Sequence, residues 1–323
     1  MMEKRAVVAQ LDRASDFGSA GAACPDFRGV GRSREMIGFR RGVGMVEFAR
    51  MYSAWGSARK ARRTVEKDRE VFKILVKNLG DLEIREVETD RLERFLGEYR
   101  ENHSPATCNI IIRHLKAALN WGLRRGIVKA NACIGIKLFR VPKRYPKFLS
   151  DLQVGKLVHA AVEHSRPLYL YVLLGLYAGL RAGEIAESQW SWFDPDRRII
   201  TLEPNGSWIP KDRDSRRIPM HHFIREALPD PLPKGYIFVS GKRNSGHGQW
   251  RYYPRTAWKT IVKRAGLPAD VTPHWMRHTF ATRLVQAGEP LINVREYMGH
   301  SSTAVTEQYA HAIITGSKID LLT

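Results

Sequence analysis

The sequence predicts a mainly α-helical protein with one small antiparallel β-sheet: an all-α domain leading into an α+β domain. Three observations predict this. Apolar residues recur at helical spacing from residue 45 onward. Strand-like runs gather around residues 197–220, with a further one at 236–240. Strands and helices do not alternate, as a parallel sheet would require, and no internal repeat is visible.

Residues 1–44 are rich in Gly, Ala, Ser and Arg and keep no period, so they read as a disordered or non-native segment. "VAQLDRAS" (8–15) can be back-translated into the D-arm of a bacterial tRNA gene, which makes Met45 a candidate true start. The helices begin there. "VEFARMYSAW" is short and amphipathic, and "SARKARRTVEKDREVFKILVKNLGD" carries Val65, Phe72, Leu75 and Val76 on one stripe. "TDRLERFLGEYRENH" opens on Thr89 as expected N-cap, with Leu92, Phe95 and Leu96 as its apolar face. "SPATCNIIIRHLKAALNWGLRRG" has Ser104 as cap, Pro105 at the first helical position and Gly126 as stop. The all-α domain is therefore placed at 45–140 and a proline-broken, basic linker at 141–149.

The second domain, 150–323, starts with Ser150 capping "DLQVGKLVHAAVEH". "PLYLYVLLGLYAG" (167–179) is apolar on every side and predicts a central buried helix. "RRIITL" and "RRIPM" read as strands around the turn-rich "EPNGSWIPKDRDS". After "YIFVS" the pattern returns to helix through "PRTAWKTIVKRAG", "TPHWMRHTFATRLVQAG", "PLINVREYMG" and "STAVTEQYAH". Thr272 is expected as a cap before Pro273, and Gly288 and Gly299 as stops.

Charge narrows the function classes. The formal net charge is +20, and residues 45–150 alone hold 23 Lys and Arg against 12 Asp and Glu. Such a balance favours a polyanionic partner, nucleic acid before membrane, because no lipid-anchoring amphipathic helix is evident. No stretch approaches 18 consecutive apolar residues, and no signal-peptide core opens the chain. Three cysteines (Cys24, Cys108, Cys133) lack any CxxC or metal-site spacing and suit a reducing cytoplasm.

Several polar residues stand in unusual settings. Arg181 directly follows the apolar helix, a costly place for a guanidinium unless Glu184, three residues on, pairs with it. His274 and Arg277 share a helix face at i, i+3. His274 and His278 have zinc-helix spacing, but Trp275 stands where a metalloprotease needs Glu, so no metal is expected. Lys211 lies in the turn-rich segment, His300 in "MGHSS", and Tyr309 in "TEQYAH". Taken singly, each has a structural reading at least as good: a buried ion pair, an exposed loop tip, a helix cap, a core aromatic.

Taken in order, "GLRAGEI", the lysine ahead of "RRIPM", "HWMRHTFAT", "MGHSS" and "TEQYAH" resemble the catalytic domain of the tyrosine recombinases, the phage-integrase and Xer-type family. The separations, 23 residues from Arg277 to His300 and nine to Tyr309, suit that family, and residues 45–140 resemble its core-binding domain. The resemblance implies that Arg181 and Arg277 clamp the scissile phosphate and that His300 donates a hydrogen bond to a non-bridging oxygen. It implies that Tyr309 attacks phosphorus, Lys211 protonates the departing 5′-oxygen and His274 assists proton transfer at the Tyr309 hydroxyl. Guanidinium forks match phosphate geometry, and tyrosine, with a pKa near ~10, needs help to act as a nucleophile. Two residues depart from the pattern: Met276 replaces the usual Leu, and Lys211 is the sole lysine in its segment.

By the same resemblance the partner is double-stranded DNA, clamped between two domains, with monomers assembling as a homo-tetramer across two sites and an accessory directionality factor as a further partner. No cofactor is implied, and the place of action is the bacterial cytoplasm, at the nucleoid. Expected DNA contacts in the first domain and linker are Arg62, Arg63, Lys67, Arg113, Lys116, Lys143 and Arg144. Arg213, Arg216 and Arg217 are expected on backbone phosphates. Integration or excision of a mobile element or prophage is the leading reading. A type IB topoisomerase and a non-catalytic DNA-binding relative stay open, and charge alone also admits RNA.

Overall fold

The computed structural model describes residues 42–142, 145–204, 215–240, 250–251 and 254–314. Expectations for residues 1–41, Lys143, Arg144, Lys211, Arg213 and the tail beyond residue 314 lie outside the described residues. The chain divides into two compact units between residues 143 and 144.

The first unit is helical: α1 (Met45–Ser57), α2 (Arg62–Leu79), α3 (Thr89–Glu101) and α4 (Pro105–Leu123). Its core collects the expected stripes, with Phe48, Tyr52, Phe72, Leu75, Leu92, Phe95, Leu115 and Trp121 all buried. Each aliphatic side chain withdrawn from water contributes about 1.5–3 kcal/mol. Gly122 on α4 permits the closest approach, since a Cβ there would stand 2.8 Å from the Phe48 ring. Ser104 caps α4 as expected, accepting from the Thr107 amide at 3.2 Å, and Pro105 follows it. Thr89 differs from expectation. Glu88 holds the cap position, Thr89 is already helical, and its hydroxyl donates instead to the Ala132 carbonyl at 3.0 Å. Buried Asp68 is satisfied by Lys60 at 2.7 Å and His114 at 2.6 Å.

The second unit opens with α5 (Asp151–His164), where Ser150 and Gln153 form a reciprocal capping box. Next comes α6 (Arg166–Tyr177), whose residues Leu170 to Leu176 are all buried, which explains its lack of a polar face. α7 (Ala182–Ala186) leads into an antiparallel sheet of β1 (Phe193–Asp194), β2 (Ile199–Leu202) and β3 (Arg216–Pro219). Ile200, Leu202 and Ile218 face the core from it. Then follow α8 (His222–Ala227), the β4–β5 pair (Val239–Ser240 with Trp250–Arg251) and α9 (Arg255–Arg264). α10 (Pro273–Gln286) packs on α6 where Gly175 meets Met276, a contact so close that a Cβ on Gly175 would lie 2.5 Å from the methionine methyl. Thr272 takes the cap position of α10 without a capping side-chain hydrogen bond.

The last elements depart from the sequence reading. α11 (Leu291–Met298) ends at left-handed Gly299, as expected. Among the described residues beyond it, only α12 (Thr303–Thr306) is α-helical, and Glu307–Ile314 is a 3₁₀ helix. Three of the four α12 residues are β-branched, a poor α-helix nucleus, and tertiary contacts at Tyr309 fix the tighter winding. Among the described residues no helix is long and apolar enough to cross a membrane.

Candidate active site

The site is assembled at helix ends. α6 stops at Tyr177, the chain turns through left-handed Gly179, and Arg181 stands at the mouth of α7. Glu184, one turn into α7, accepts from the Arg181 amide at 2.8 Å and from its Nη1 at 2.9 Å. Arg181 Nη2 reaches across to the Gly299 carbonyl at 2.9 Å. Arg277, on α10, is only 1% exposed. Its Nη1 donates to the Gly179 carbonyl at 2.6 Å and its Nη2 to the carbonyl of Met298, the last residue of α11. Met298 ends α11, Gly299 caps it and Gly179 lies two residues beyond α6, so both guanidiniums sit at the negative ends of helix dipoles.

His300 follows directly on Gly299, and its Nδ1 lies 2.9 Å from the Thr306 hydroxyl. Tyr309 is 2% exposed, its ring packed with Phe280, Val285, Val294 and Met298. The core-aromatic reading of this tyrosine is therefore correct for its ring, but its hydroxyl is polar-bonded. Oη lies 2.5 Å from Nδ1 of His278. His300 stacks parallel to the Tyr309 ring at 6.5 Å.

Electrostatics follow from this crowding. Burial alone would raise the Glu184 carboxyl, but Arg216, Arg277 and Arg181 overcome it and hold it at about 2. Burial, then the neighbouring Arg181 charge, lowers Arg277 to about 9, so it remains a cation at neutral pH. Burial lowers His278 to about 3, helped by His274, Arg277 and His300. Burial with Arg277, Arg181 and Arg216 does the same to His300, also to about 3. Burial raises Tyr309 to about 12 against the pull of Arg277 and Arg181. The resting site is two neutral histidines and a protonated phenol beside three guanidiniums.

Two expectations change. His274 is exposed, and the residue at the tyrosine hydroxyl is His278, one turn further along α10, with the two imidazoles edge to face at 4.3 Å. Arg216 is not turned to solvent. It grips both Glu184 oxygens, at 3.1 and 2.7 Å, and donates Nε to the Tyr297 carbonyl at 3.0 Å. Strand alternation carries the signal that locates it: Arg216 shares a face with buried Ile218, while Arg217 points outward and is exposed. The signal for His278 is its i, i+4 spacing from His274 on the helix face that also presents Arg277's neighbours.

In the first unit Arg62, Arg63 and Arg113 are exposed and Lys116 is half-buried. Arg62 pairs with Glu66 at 2.9 Å and Lys67 with Glu70 at 2.5 Å along their own helix. A second cationic surface, not marked in the sequence, sets Arg59 and Arg125 over the Trp55 ring at 5.7 and 5.9 Å.

The model of the phage integrase family matches residues 147–314, slightly more than half of the chain. The tyrosine recombinase XerC of Lactobacillus delbrueckii subsp. bulgaricus is 27% identical over 233 residues, covering 68% of this chain and 77% of that protein. A tyrosine recombinase of Thermosipho africanus is 27% identical over 246 residues, covering 71% of this chain and 82% of that protein. Among solved structures, a lambda integrase tetramer bound to a Holliday junction is similar in fold with a TM-score of 0.67 at 20% identity, covering 84% of this chain and 78% of that one. The Tn1549 transposon integrase in complex with transposon right end DNA aligns with a TM-score of 0.66 at 20% identity, covering 85% and 99%. With the ordered motifs, the helical and small-sheet fold and the matched domain in agreement, the chain belongs to the phage integrase family, the tyrosine recombinases.

Proposed function

We propose that this chain is a site-specific integrase that cuts and rejoins duplex DNA through a 3′-phosphotyrosine at Tyr309, integrating or excising a mobile element or prophage. The observation that carries the reading is convergence. Arg181, Arg277, His300 and Tyr309 come from four separate elements and meet around the ends of α6 and α11. Arg181 and Arg277 neutralise the phosphate as negative charge builds on its oxygens. Each guanidinium has five N–H groups, and the carbonyl contacts fix its plane before DNA arrives. Neutral His300, its Nδ1 engaged with Thr306, directs Nε2–H to a non-bridging oxygen. Lys211, outside the described residues, serves as general acid on the 5′-oxygen, and Glu184 holds the two catalytic arginines and Arg216 as one unit.

Residues 45–140 act as the DNA-binding module, 141–149 as the linker and 150–323 as the catalytic domain. Exposed Arg62, Arg63, Arg113 and Arg217 contact backbone phosphates. Four copies assemble on two synapsed sites, as the lambda integrase neighbour does on a Holliday junction, and the protein works at the bacterial nucleoid. The test is a nicked duplex from which a cleaved strand fragment diffuses away. The wild-type chain should leave a denaturation-resistant protein–DNA adduct, and Tyr309→Phe should leave none. An adduct that persists in the phenylalanine variant removes Tyr309 as nucleophile. Relaxation of supercoils with no exchange between two duplexes replaces the integrase reading by a topoisomerase one.

A further inference from the structure

We propose that His278, rather than His274, takes the Tyr309 proton during DNA cleavage and returns it during rejoining; this rests on Tyr309 being the nucleophile. The geometry is direct. His278 Nδ1 is 2.5 Å from Tyr309 Oη, within reach for proton transfer, whereas His274 is exposed and stands edge to face against the His278 ring at 4.3 Å. Tyr309 is held on this partner by the apolar packing of its ring against α10 and α11, so the pairing is built into the core rather than left to a mobile side chain.

The chemistry needs such a partner. Burial keeps the phenol protonated well above neutral pH, so a preformed phenolate is not the attacking species. The proton has to leave as the new bond forms. His278 is neutral at rest, held so by burial and by the nearby His274, Arg277 and His300, and a neutral imidazole has a lone pair to offer. In cleavage, Oη bonds to phosphorus, the Oη–H proton passes to Nδ1, the bond from phosphorus to the 5′-oxygen breaks, and that oxygen takes a proton from the general acid. In rejoining, the incoming 5′-hydroxyl bonds to phosphorus and gives its proton to the deprotonated general acid. The bond from phosphorus to Oη breaks, and Oη recovers its proton from the His278 imidazolium. The bound phosphodiester carries a negative charge that offsets the arginines, which makes the transient imidazolium less costly than in the DNA-free site.

This assignment requires the His278 ring proton to sit on Nε2, leaving Nδ1 as acceptor. Two measurements test it. In the DNA-free protein, ¹⁵N spectra of histidine-labelled chain should show His278 as the neutral Nε2–H tautomer, with its Nδ1 shift changing in Tyr309→Phe; an Nδ1–H tautomer overturns the proposal. In single-turnover cleavage, the substrate is a nicked duplex selected from a random pool by binding to this chain. His278→Ala and His278→Asn should both slow adduct formation by about 10²–10⁴-fold with DNA binding retained. Asparagine can accept a hydrogen bond at the same place but cannot take the proton, so a His278→Asn rate within threefold of wild type also overturns the proposal. A 5′-bridging phosphorothiolate, whose thiolate leaves without a proton, should not restore the His278→Asn defect; full restoration would assign His278 to the leaving group instead. If the wild-type chain itself forms no adduct, the nucleophile assignment falls and this one with it. A wild-type adduct with undiminished His278 variants removes this one alone.

Discussion

Glu184 and Arg216 form a two-pronged ion pair, Nη1 to Oε1 at 3.1 Å and Nη2 to Oε2 at 2.7 Å, with both side chains almost wholly withdrawn from water. The pair ties α7 to β3, and through the Arg216 Nε contact to the Tyr297 carbonyl it also reaches the end of α11. The same carboxylate holds Arg181, so a residue on the sheet fixes a residue of the proposed phosphate site. Truncating one member of a buried pair leaves the other without its counter-charge. Arg216→Ala should therefore destabilise the fold by about 3–5 kcal/mol in denaturant unfolding. A phosphate-contacting arginine behaves differently: its loss lowers the salt slope of DNA binding by about one while leaving the fold intact. That second pattern for Arg216→Ala, together with unchanged unfolding, would restore the surface role expected from sequence.

Gly179 has φ +63°, and its carbonyl receives Arg277 Nη1. A Cβ there would press into the Phe280 ring. Left-handed strain of about 1–2 kcal/mol and overpacking of about 1–3 kcal/mol should combine in Gly179→Ala. Nearby Gly183 is the matched control: it lies inside α7 with no atom within 4 Å of an added Cβ. Gly183→Ala should be neutral or stabilising by up to about 1 kcal/mol. Equal thermal midpoints for the two variants would contradict the assignment of Gly179 as a conformational requirement.

These contacts are tertiary, and no local signal in the sequence encodes them. The helices were legible because apolar stripes and caps are local signals: Ser104, Ser150 and Gly299 each act where the pattern placed them. The buried helix α6 was legible for the opposite reason, having no polar face at all. Thr89 misled because a hydroxyl that suits a cap also suits a distant carbonyl, and only the tertiary structure brings Ala132 within reach. Periodicity assigns Tyr309 to an α-helix because it does not separate α from 3₁₀ winding over so few residues. At the site, motifs gave the ensemble, but partner choice between His274 and His278 depends on which face of α10 meets the last segment. That is a packing outcome, not a spacing.

Acid should weaken the DNA-free protein in two stages. His278 and His300 both have folded values lowered to about 3 from an ordinary value near 6.5. The unfolded chain therefore binds more protons between those limits, and stability falls as pH drops from about 6.5 toward 3. Glu184 is lowered to about 2 from an ordinary 4.5, so its contribution is complete above pH 4.5 and is lost progressively as pH falls from there through 2. The histidines thus act first. Thermal midpoints recorded from pH 7 to pH 4 should decline in the wild type and decline less steeply in a His278→Asn, His300→Asn double variant. Parallel curves would show that neither imidazole is held neutral.

Arg181 and Arg277 should respond differently to replacement by lysine. Lysine keeps the charge but offers a single nitrogen where the guanidinium spans two partners in a plane. Arg181 uses that span to join Glu184 on α7 with the Gly299 carbonyl, while keeping an edge toward solvent. Arg277 is fully buried and bridges the Gly179 carbonyl in the turn after α6 and the Met298 carbonyl at the end of α11. A lysine at 181 has water to complete its shell, so Arg181→Lys should fold normally and lose about 10²–10³-fold in cleavage through misdirected hydrogen bonds to the phosphate. A lysine at 277 leaves a buried carbonyl without its donor, which costs about 1–3 kcal/mol on top of the catalytic loss. Denaturant unfolding of the two variants, run beside single-turnover cleavage, separates the two effects. Equal stabilities would mean that the Arg277 carbonyl contacts do not hold α6 and α11 together.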